Sequence, residues 1–303
     1  MTDLDTNITN ITNPQYSIGI IGIGVLGSAI KETFEKFQSI KNNISSIISY
    51  DKYKKIGIGI LDVCKCDIIF ICLPTEYDKD KKEYDKSEIE HVFSDLAMYE
   101  YKGIIIFKST VEPQTTLSIS KQYKYASLNI IHSPEFLSAK TATEDFMNQK
   151  HIVLGFPDYD PIDINININI NTDTKKTISY LTDFFSMYFP NAKISICSSD
   201  ESESMKIFCN SFYATKIQFF TEIKLLCDKL SINYDNVKDL MISNDWINPM
   251  HTQIPGHDGE ISFGGKCFPK DIKALSEVFR RNDITNKVIN SVIEEHIEMR
   301  GII

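Results

Sequence analysis

The chain has 303 residues, 42% hydrophobic and 24% charged, enough for one large domain and a smaller one, each with a buried core. A formal charge of -9 with no lysine- or arginine-rich block argues against nucleic acid as a partner, because phosphate-backbone binding needs clustered positive charge. No apolar run approaches the roughly 20 residues that span a bilayer, and the polar start MTDLDTNITNITN lacks the basic and apolar regions of a leader. No membrane contact is expected, and the chain should remain in the cytoplasm where it is made. Seven scattered cysteines with no leader ahead of them read as free thiols in a reducing compartment. Cys64 and Cys66 form a lone C-x-C with no second cysteine or histidine cluster, so they read as packing residues and no metal site is expected.

Residues 1–15, polar and rich in Thr and Asn, read as a loose tail. Ser17 to Ile23 is an apolar, β-branched run, then come glycines, then a helical pattern through Ala29, Ile30, Phe34 and Phe37: strand, tight turn, helix. Further short apolar runs at Ile44–Tyr50, Cys66–Leu73, Gly103–Phe107, Leu128–His132 and His151–Gly155 are separated by stretches that suit crossover helices. This alternation predicts a doubly wound, Rossmann-type α/β domain over 16–200, with a mostly parallel sheet covered on both faces. The Ile/Asn tract from Asp163 to Asn171 reads as a surface insertion without function. From about residue 200, Met205, Phe208, Phe212, Phe219, Ile223, Leu226 and Leu230 recur at helical spacing, so a smaller all-helical domain is expected over 201–303. A helix from about Pro269 and an amphipathic pattern through Val288, Val292 and Ile297 complete it.

Gly22, Gly24 and Gly27 form G-x-G-x-x-G between strand and helix. The first suits the turn, the second the approach of a pyrophosphate, and the third close packing of the helix. The next strand ends at Asp51, where an acid would accept ribose hydroxyls and disfavour a 2′-phosphate, so NAD is expected over NADP. Three apolar runs end in polar groups where a ligand of a parallel sheet sits: Leu73-Pro74-Thr75, Lys108-Ser109-Thr110 and Ser133-Pro134-Glu135-Phe136. Each alone reads equally as a solvated loop. Lys206 and Asn210, four apart on a helix, share one face, which alone reads as a solvated face. In Phe263-Gly264-Gly265-Lys266-Cys267-Phe268-Pro269-Lys270-Asp271, Pro269 suits the first turn of a helix and places Cys267 just before it. The helix N-terminus favours a thiolate there; a buried structural cysteine is the other reading.

The segments GIIGIGVLG, KSTVEP, SPEFLSAKTATEDF, ESMKIFCNSFYATKIQFFTEI and FGGKCFPKD resemble, in order and separation, the blocks of the UDP-glucose/GDP-mannose dehydrogenases, over about residues 17–300. The resemblance implies oxidation of a nucleotide sugar, UDP-glucose being the commonest substrate, at its C6 alcohol to the acid with two NAD. It implies Cys267 as the nucleophile that forms a thiohemiacetal and thioester, and Lys206 and Asn210 as oxyanion donors. It implies that Asp271 orders Lys206 or a water, that Thr110 helps hold the water, and that Glu135 is the base for hydrolysis. Gly22, Gly24, Val25, Leu26, Gly27, Asp51, Thr75, Thr110 and Lys270 are the implied cofactor residues. Glu135, Phe136, Leu137, Lys206, Asn210, Phe263 and Gly264 are the implied substrate residues. A homodimer through the long helix, with Phe208, Phe212, Phe219 and Phe220 at the contact, is also implied.

The sequence departs from the family pattern in three places. Ala139 stands where a second glutamate is usual, Asn244-Asp245-Trp246-Ile247-Asn248 lacks the usual arginine, and the 303 residues hold no counterpart of the family's C-terminal nucleotide-binding domain. The same chemistry on GDP-mannose or a UDP-N-acetylhexosamine, or an NAD-binding remnant without turnover, remain alternatives.

Overall fold

A computed structural model describes residues 15–122, 125, 127–157, 159 and 172–301; most of the N-terminal tail and the Ile/Asn tract lie outside these residues. The first apolar run forms β1 (Tyr16–Ile21) and is followed by α1 (Val25–Lys41) and β2 (Ile44–Tyr50). β1 ends two residues before Ile23, because Gly22 turns the chain with φ +88°. After the short α2 (Ile60–Val63) comes β3 (Ile68–Ile71), preceded by Asp67, whose carboxylate accepts hydrogen bonds from the Ser17 N–H and hydroxyl. A two-stranded hairpin, β4 (Tyr77–Asp78) and β5 (Glu83–Tyr84), leads into α3 (Ser87–Met98). Then follow β6 (Ile104–Phe107), α4 (Thr115–Ser120), β7 (Asn129–His132), α5 (Ala142–Met147), β8 (His151–Phe156), α6 (Thr172–Tyr188) and β9 (Lys193–Ser198).

The sheet has seven strands in the order β2-β1-β3-β6-β7-β8-β9. Every pairing is parallel except β7 with β8, which meet antiparallel at His132 and Gly155. Ile18, Ile20, Phe70 and Ile106 pack on one face with Phe34, Phe184 and Tyr188 from the helices, and Ile69, Ile71, Ile105 and Phe107 on the other with Val92, Phe93 and Leu96. Central strands covered on both sides account for the near-continuous isoleucine runs.

A capping box of Ser198 and Glu201 starts α7 (Ser199–Lys229), which packs on the sheet at its N-terminal end and carries a helical layer of α8 (Tyr234–Ile242), α9 (Phe268–Arg281) and α10 (Lys287–Arg300). The apolar pattern expected along α7 divides between two faces. Phe220 is buried, whereas Phe208, Phe212, Phe219, Leu226 and Leu230 are exposed.

Three buried titratable groups make stability depend on pH. His132 is wholly enclosed beside Ser202 and Ser109, and burial drives its pKa down to about 3. His296 is held beside Ser262 and its pKa falls to about 4, again by burial. Both sit below the unfolded value near 6.5, so the unfolded chain binds protons first and their contribution is lost as pH falls from about 6.5. Glu203 caps the start of α4 through the Thr115 and Thr116 N–H groups, and burial raises its pKa to about 7, which the Thr116 bonds only partly oppose. Its contribution has the opposite sign and is lost as pH rises from about 4.5 toward 7. Two histidines against one glutamate leave a net loss on acidification of roughly 1.4 kcal/mol per pH unit between these limits. Urea unfolding of Glu203→Gln should show about twice that slope; an unchanged slope contradicts this balance of charges.

Candidate active site

The glycine loop links β1 to α1. A Cβ on Gly22 would lie 2.6 Å from the Cys72 carbonyl oxygen, and one on Gly27 would lie 1.9 Å from the Gly22 oxygen, so both glycines are required by backbone packing. A Cβ on Gly24 would meet nothing within 4 Å, leaving open space at the N-terminus of the 17-residue α1, where Val25 is also exposed and Leu26 half-buried. This cradle fits a dinucleotide pyrophosphate. Gly27→Ala should therefore lower stability by roughly 3 kcal/mol and abolish the thermal shift given by NAD. Gly24→Ala should melt normally yet bind NAD weakly; equal melting temperatures for the two variants contradict the division of roles.

Asp51 lies at the end of β2, with much of its capacity already used. The Ile23 N–H donates to Oδ2 at 2.8 Å, and the Tyr53 and Lys54 N–H groups donate to Oδ1 at 3.0 and 2.8 Å. Partial burial raises its pKa, but these backbone bonds and the Lys54 ammonium prevail, so the acid titrates below its ordinary value. Asp51 thus ties the glycine loop to the turn after β2 and keeps lone-pair capacity on Oδ2 for a ribose hydroxyl. An open groove of about 380 Å³ runs beside α1, between Val25, Ser28 and Ala29 and the segment 139–144. Ala139 lines it, so the missing glutamate leaves room facing the cofactor helix.

At the ends of β3, β6 and β7 the three polar clusters come together. Thr75 is buried and its hydroxyl donates to the Thr110 carbonyl at 2.6 Å, while the Ser109 hydroxyl donates to the Leu73 carbonyl. Lys108, also buried, donates to the Pro134 carbonyl at 3.0 Å, and Lys206 donates to the Glu135 carbonyl at 2.7 Å. Two ammonium groups from β6 and α7 therefore hold consecutive carbonyls of one loop. Burial pulls the Lys108 pKa down to about 8. Lys206 also pairs with Glu135 Oε1 at 3.1 Å and lies 5.4 Å from the Phe136 ring centroid, while Glu135 Oε2 accepts the Leu137 N–H. Leu137 itself packs against the sheet core.

Cys267 is the N-cap residue of α9, with Pro269 in the first turn, and it is exposed. The helix start alone favours a thiolate, but the outcome is the reverse of that expectation. Loss of hydration among the surrounding protein atoms, then the Asp271 carboxylate, push the thiol above its ordinary value, against the pull of Lys270 and Lys206. Of the two partners that the resemblance implied for Asp271, Lys206 or a water, Lys206 instead bonds Glu135. Asp271 Oδ1 accepts from Lys270 and from the Tyr84 hydroxyl, each at 2.6 Å, and its Oδ2 accepts the Asn210 amide at 2.6 Å. Lys270 is thereby drawn to the cysteine side of the site. The Phe263 ring is buried and stacked 3.9 Å from His296, which removes it from the site surface. Gly264 leaves space for the Arg300–Asp258 ion pair, whose guanidinium a Cβ would meet at 2.5 Å.

Two bonded groups result, Lys206 with Glu135 and Asp271 with Asn210, Lys270 and Tyr84; Lys206 and Asn210 stand four residues apart on α7, and Cys267 lies one turn before Asp271. Sequence reasoning missed Tyr84, which sits in a short, polar hairpin indistinguishable from a loop. Among the described residues no group of three His, Cys, Asp or Glu is placed to hold a metal, and no helix is long and apolar enough to cross a membrane. All seven cysteines are free thiols.

Residues 53–169 match the model of the UDP-glucose/GDP-mannose dehydrogenase family, NAD binding domain, and residues 200–296 match that of its central domain. A UDP-glucose 6-dehydrogenase of Rickettsia bellii is 28% identical over 98% of this chain, and one of Campylobacter jejuni is 28% identical over 91%. The chain spans 63% and 71% of these two relatives. Among solved structures, a UDP-glucose dehydrogenase from Pyrobaculum islandicum superposes with a TM-score of 0.77 at 18% identity, covering 95% of this chain and 69% of that one. A UDP-D-ManNAc dehydrogenase from Pyrococcus horikoshii gives 0.73 at 16% identity, covering 93% and 68%. These structures share the fold, and two domain models of one family together match more than half of the sequence. The chain belongs to the UDP-glucose/GDP-mannose dehydrogenase family and carries that family's NAD binding domain.

Proposed function

We propose that the chain oxidises the C6 alcohol of UDP-glucose to the carboxylate, using NAD, through a covalent intermediate on Cys267. One observation carries this reading: an exposed thiol at the start of α9 lies one turn before Asp271, which holds Asn210 and Lys270, and within electrostatic reach of the bonded Lys206–Glu135 pair. The choice of UDP-glucose follows the names of the curated relatives.

Gly22, Gly24, Val25, Leu26, Gly27 and Asp51 hold NAD, with Thr75, Thr110 and Ala139 along its path. When bound, NAD accepts one hydride from C6 in each of two oxidations. Lys206 keeps one of its three donors beyond those on Glu135, and Asn210 keeps one amide hydrogen beyond that on Asp271. These two groups face the oxygen on C6 and stabilise its negative charge. The Cys267 sulfur adds to the aldehyde carbon, the thiol giving up its proton as the carbonyl oxygen gains one, to give a thiohemiacetal. Loss of a hydride and a proton leaves the thioester. Glu135 takes a proton from water, the hydroxide displaces the Cys267 thiolate, and the carboxylate leaves with net release of a proton. Thr110 helps place that water, while the backbone at Phe263 and Gly264 and the exposed Phe136 ring meet the sugar.

The division of labour assigns residues 16–200 to the cofactor and 201–303 to the nucleophile. Phe208, Phe212 and Phe219, exposed along α7, support a homodimer through that helix. Free thiols support a reducing, cytoplasmic setting.

The test is NADH absorbance from the purified chain with NAD and, in turn, UDP-glucose, GDP-mannose and UDP-N-acetylmannosamine. Oxidation of UDP-glucose above the others is expected. Absence of NADH with every sugar, despite retained NAD binding, overturns the proposal.

A further inference from the structure

Tyr84 stands outside the expected machinery yet touches its centre. It is buried on β5, and its hydroxyl donates to Asp271 Oδ1 at 2.6 Å, the same oxygen that Lys270 reaches at 2.6 Å. The Lys270 ammonium lies 4.4 Å from the Tyr84 ring centroid. The backbone of Tyr84 is fixed as firmly as its side chain: its N–H donates to the buried Glu112 carboxylate at 2.8 Å, and Lys86 bonds both the Tyr84 carbonyl and Glu112. At the other end of α9, Arg281 donates to the Lys82 carbonyl in the same hairpin. The hairpin therefore grips α9 at both ends, and Cys267 caps that helix.

From this geometry we infer that Tyr84 is a positioning residue: its hydroxyl orients the Asp271 carboxylate and disperses its charge, and through Asp271 it sets the reactivity of the Cys267 thiol. A fully buried carboxylate that loses one of three donors either turns or presents more negative charge to its neighbours. Asp271 lies one turn on from Cys267, its N–H donating to the Cys267 carbonyl at 3.0 Å, and it holds the Lys270 ammonium that also acts on the thiol, so either change reaches the thiol. The charged and titratable groups that bear on Cys267 are Asp271 and Lys270 from its own helix, Glu135 from the loop after β7, Lys206 from α7 and Tyr84 from β5. Among these only Tyr84 acts as a neutral donor to Asp271 without itself carrying charge. The role rests on Cys267 as the reacting thiol, but it is testable without any sugar.

Cys267 is the exposed cysteine of the chain, the other six being buried or half-buried, so iodoacetamide alkylates it selectively and peptide mass mapping verifies the site. The pH dependence of that alkylation in the folded protein is the readout, because loss of packing alone lowers the melting temperature and leaves the midpoint in place. Tyr84→Phe should move the midpoint upward by about half a pH unit, slowing alkylation about threefold at pH values below it. Asp271→Asn should move it downward, and in that background Tyr84→Phe should add no further shift. A Tyr84→Phe midpoint equal to wild type overturns the inference. Should that variant not fold, an Asp271→Asn midpoint equal to wild type overturns it as well. The shift with no sugar oxidised by the wild type leaves Tyr84 in place and removes the proposed reaction; turnover without the shift does the reverse.

Discussion

Cys267→Ala is expected to form no sugar acid, with the rate of complete oxidation at least about a thousandfold below wild type. In the proposed reaction the aldehyde carbon gives up its hydride only after conversion to a tetrahedral adduct, and Cys267 is the nucleophile assigned to form that adduct. The substitution removes an exposed side chain that caps no backbone group of α9, so stability should change by less than about 0.5 kcal/mol. Steady-state assays together with a thermal melt separate loss of chemistry from loss of fold. Retention of acid formation within about tenfold of wild type places the nucleophile elsewhere.

The second large effect is expected at Lys206. Its ammonium holds the Glu135 carbonyl and carboxylate, and in the proposed reaction it also faces the reacting oxygen. Lys206→Ala should lower kcat by about a hundred- to a thousandfold, the range for removal of one oxyanion donor. The affinity for NAD should stay within about twofold, because the glycine loop makes no bond to Lys206 and the interaction removed belongs to the reacting centre. Lys206→Arg should recover little, since a planar guanidinium cannot reproduce a point donor shared between a carbonyl and a carboxylate. Initial rates at varied sugar and NAD read both quantities. A variant that loses NAD affinity while keeping kcat contradicts the placement of Lys206.

Much of this architecture was legible because it rests on local rules. The isoleucine runs of β1, β3 and β6 are continuous because both faces of those strands are covered. Two of the three glycines answer a backbone requirement, a turn at Gly22 and a 1.9 Å clash avoided at Gly27, while Gly24 faces open space. Pro269 placed the start of α9 to within a residue. Less was legible where long-range pairing decides. The antiparallel meeting of β7 and β8 and the whole of β9 follow from where the chain returns to the sheet, which no periodicity reports. The exposed aromatics of α7 carry the same spacing as core residues, so the pattern alone could not say which side faces inward.

The site divides in the same way. Cys267, Lys206 and Asn210 were visible through spacing and the family resemblance, but their partners were not. Asp271 turns to Tyr84, Asn210 and Lys270 instead of Lys206 because a buried carboxylate takes the donors that enclose it. Tyr84 is 187 residues away in sequence, beyond the reach of any local signal. The thiol, which the helix start alone favours as a thiolate, is pushed the other way by loss of hydration and by the Asp271 carboxylate one turn on.

The most direct test is the stoichiometry of the reaction at completion: NADH formed per UDP-glucose consumed by the purified chain, with the product identified by mass. Two NADH and one carboxylate per sugar, with no free aldehyde, is the result predicted by covalent capture on Cys267. One NADH per sugar with aldehyde accumulating contradicts it, and would leave this chain an alcohol dehydrogenase with no use for the cysteine that caps α9.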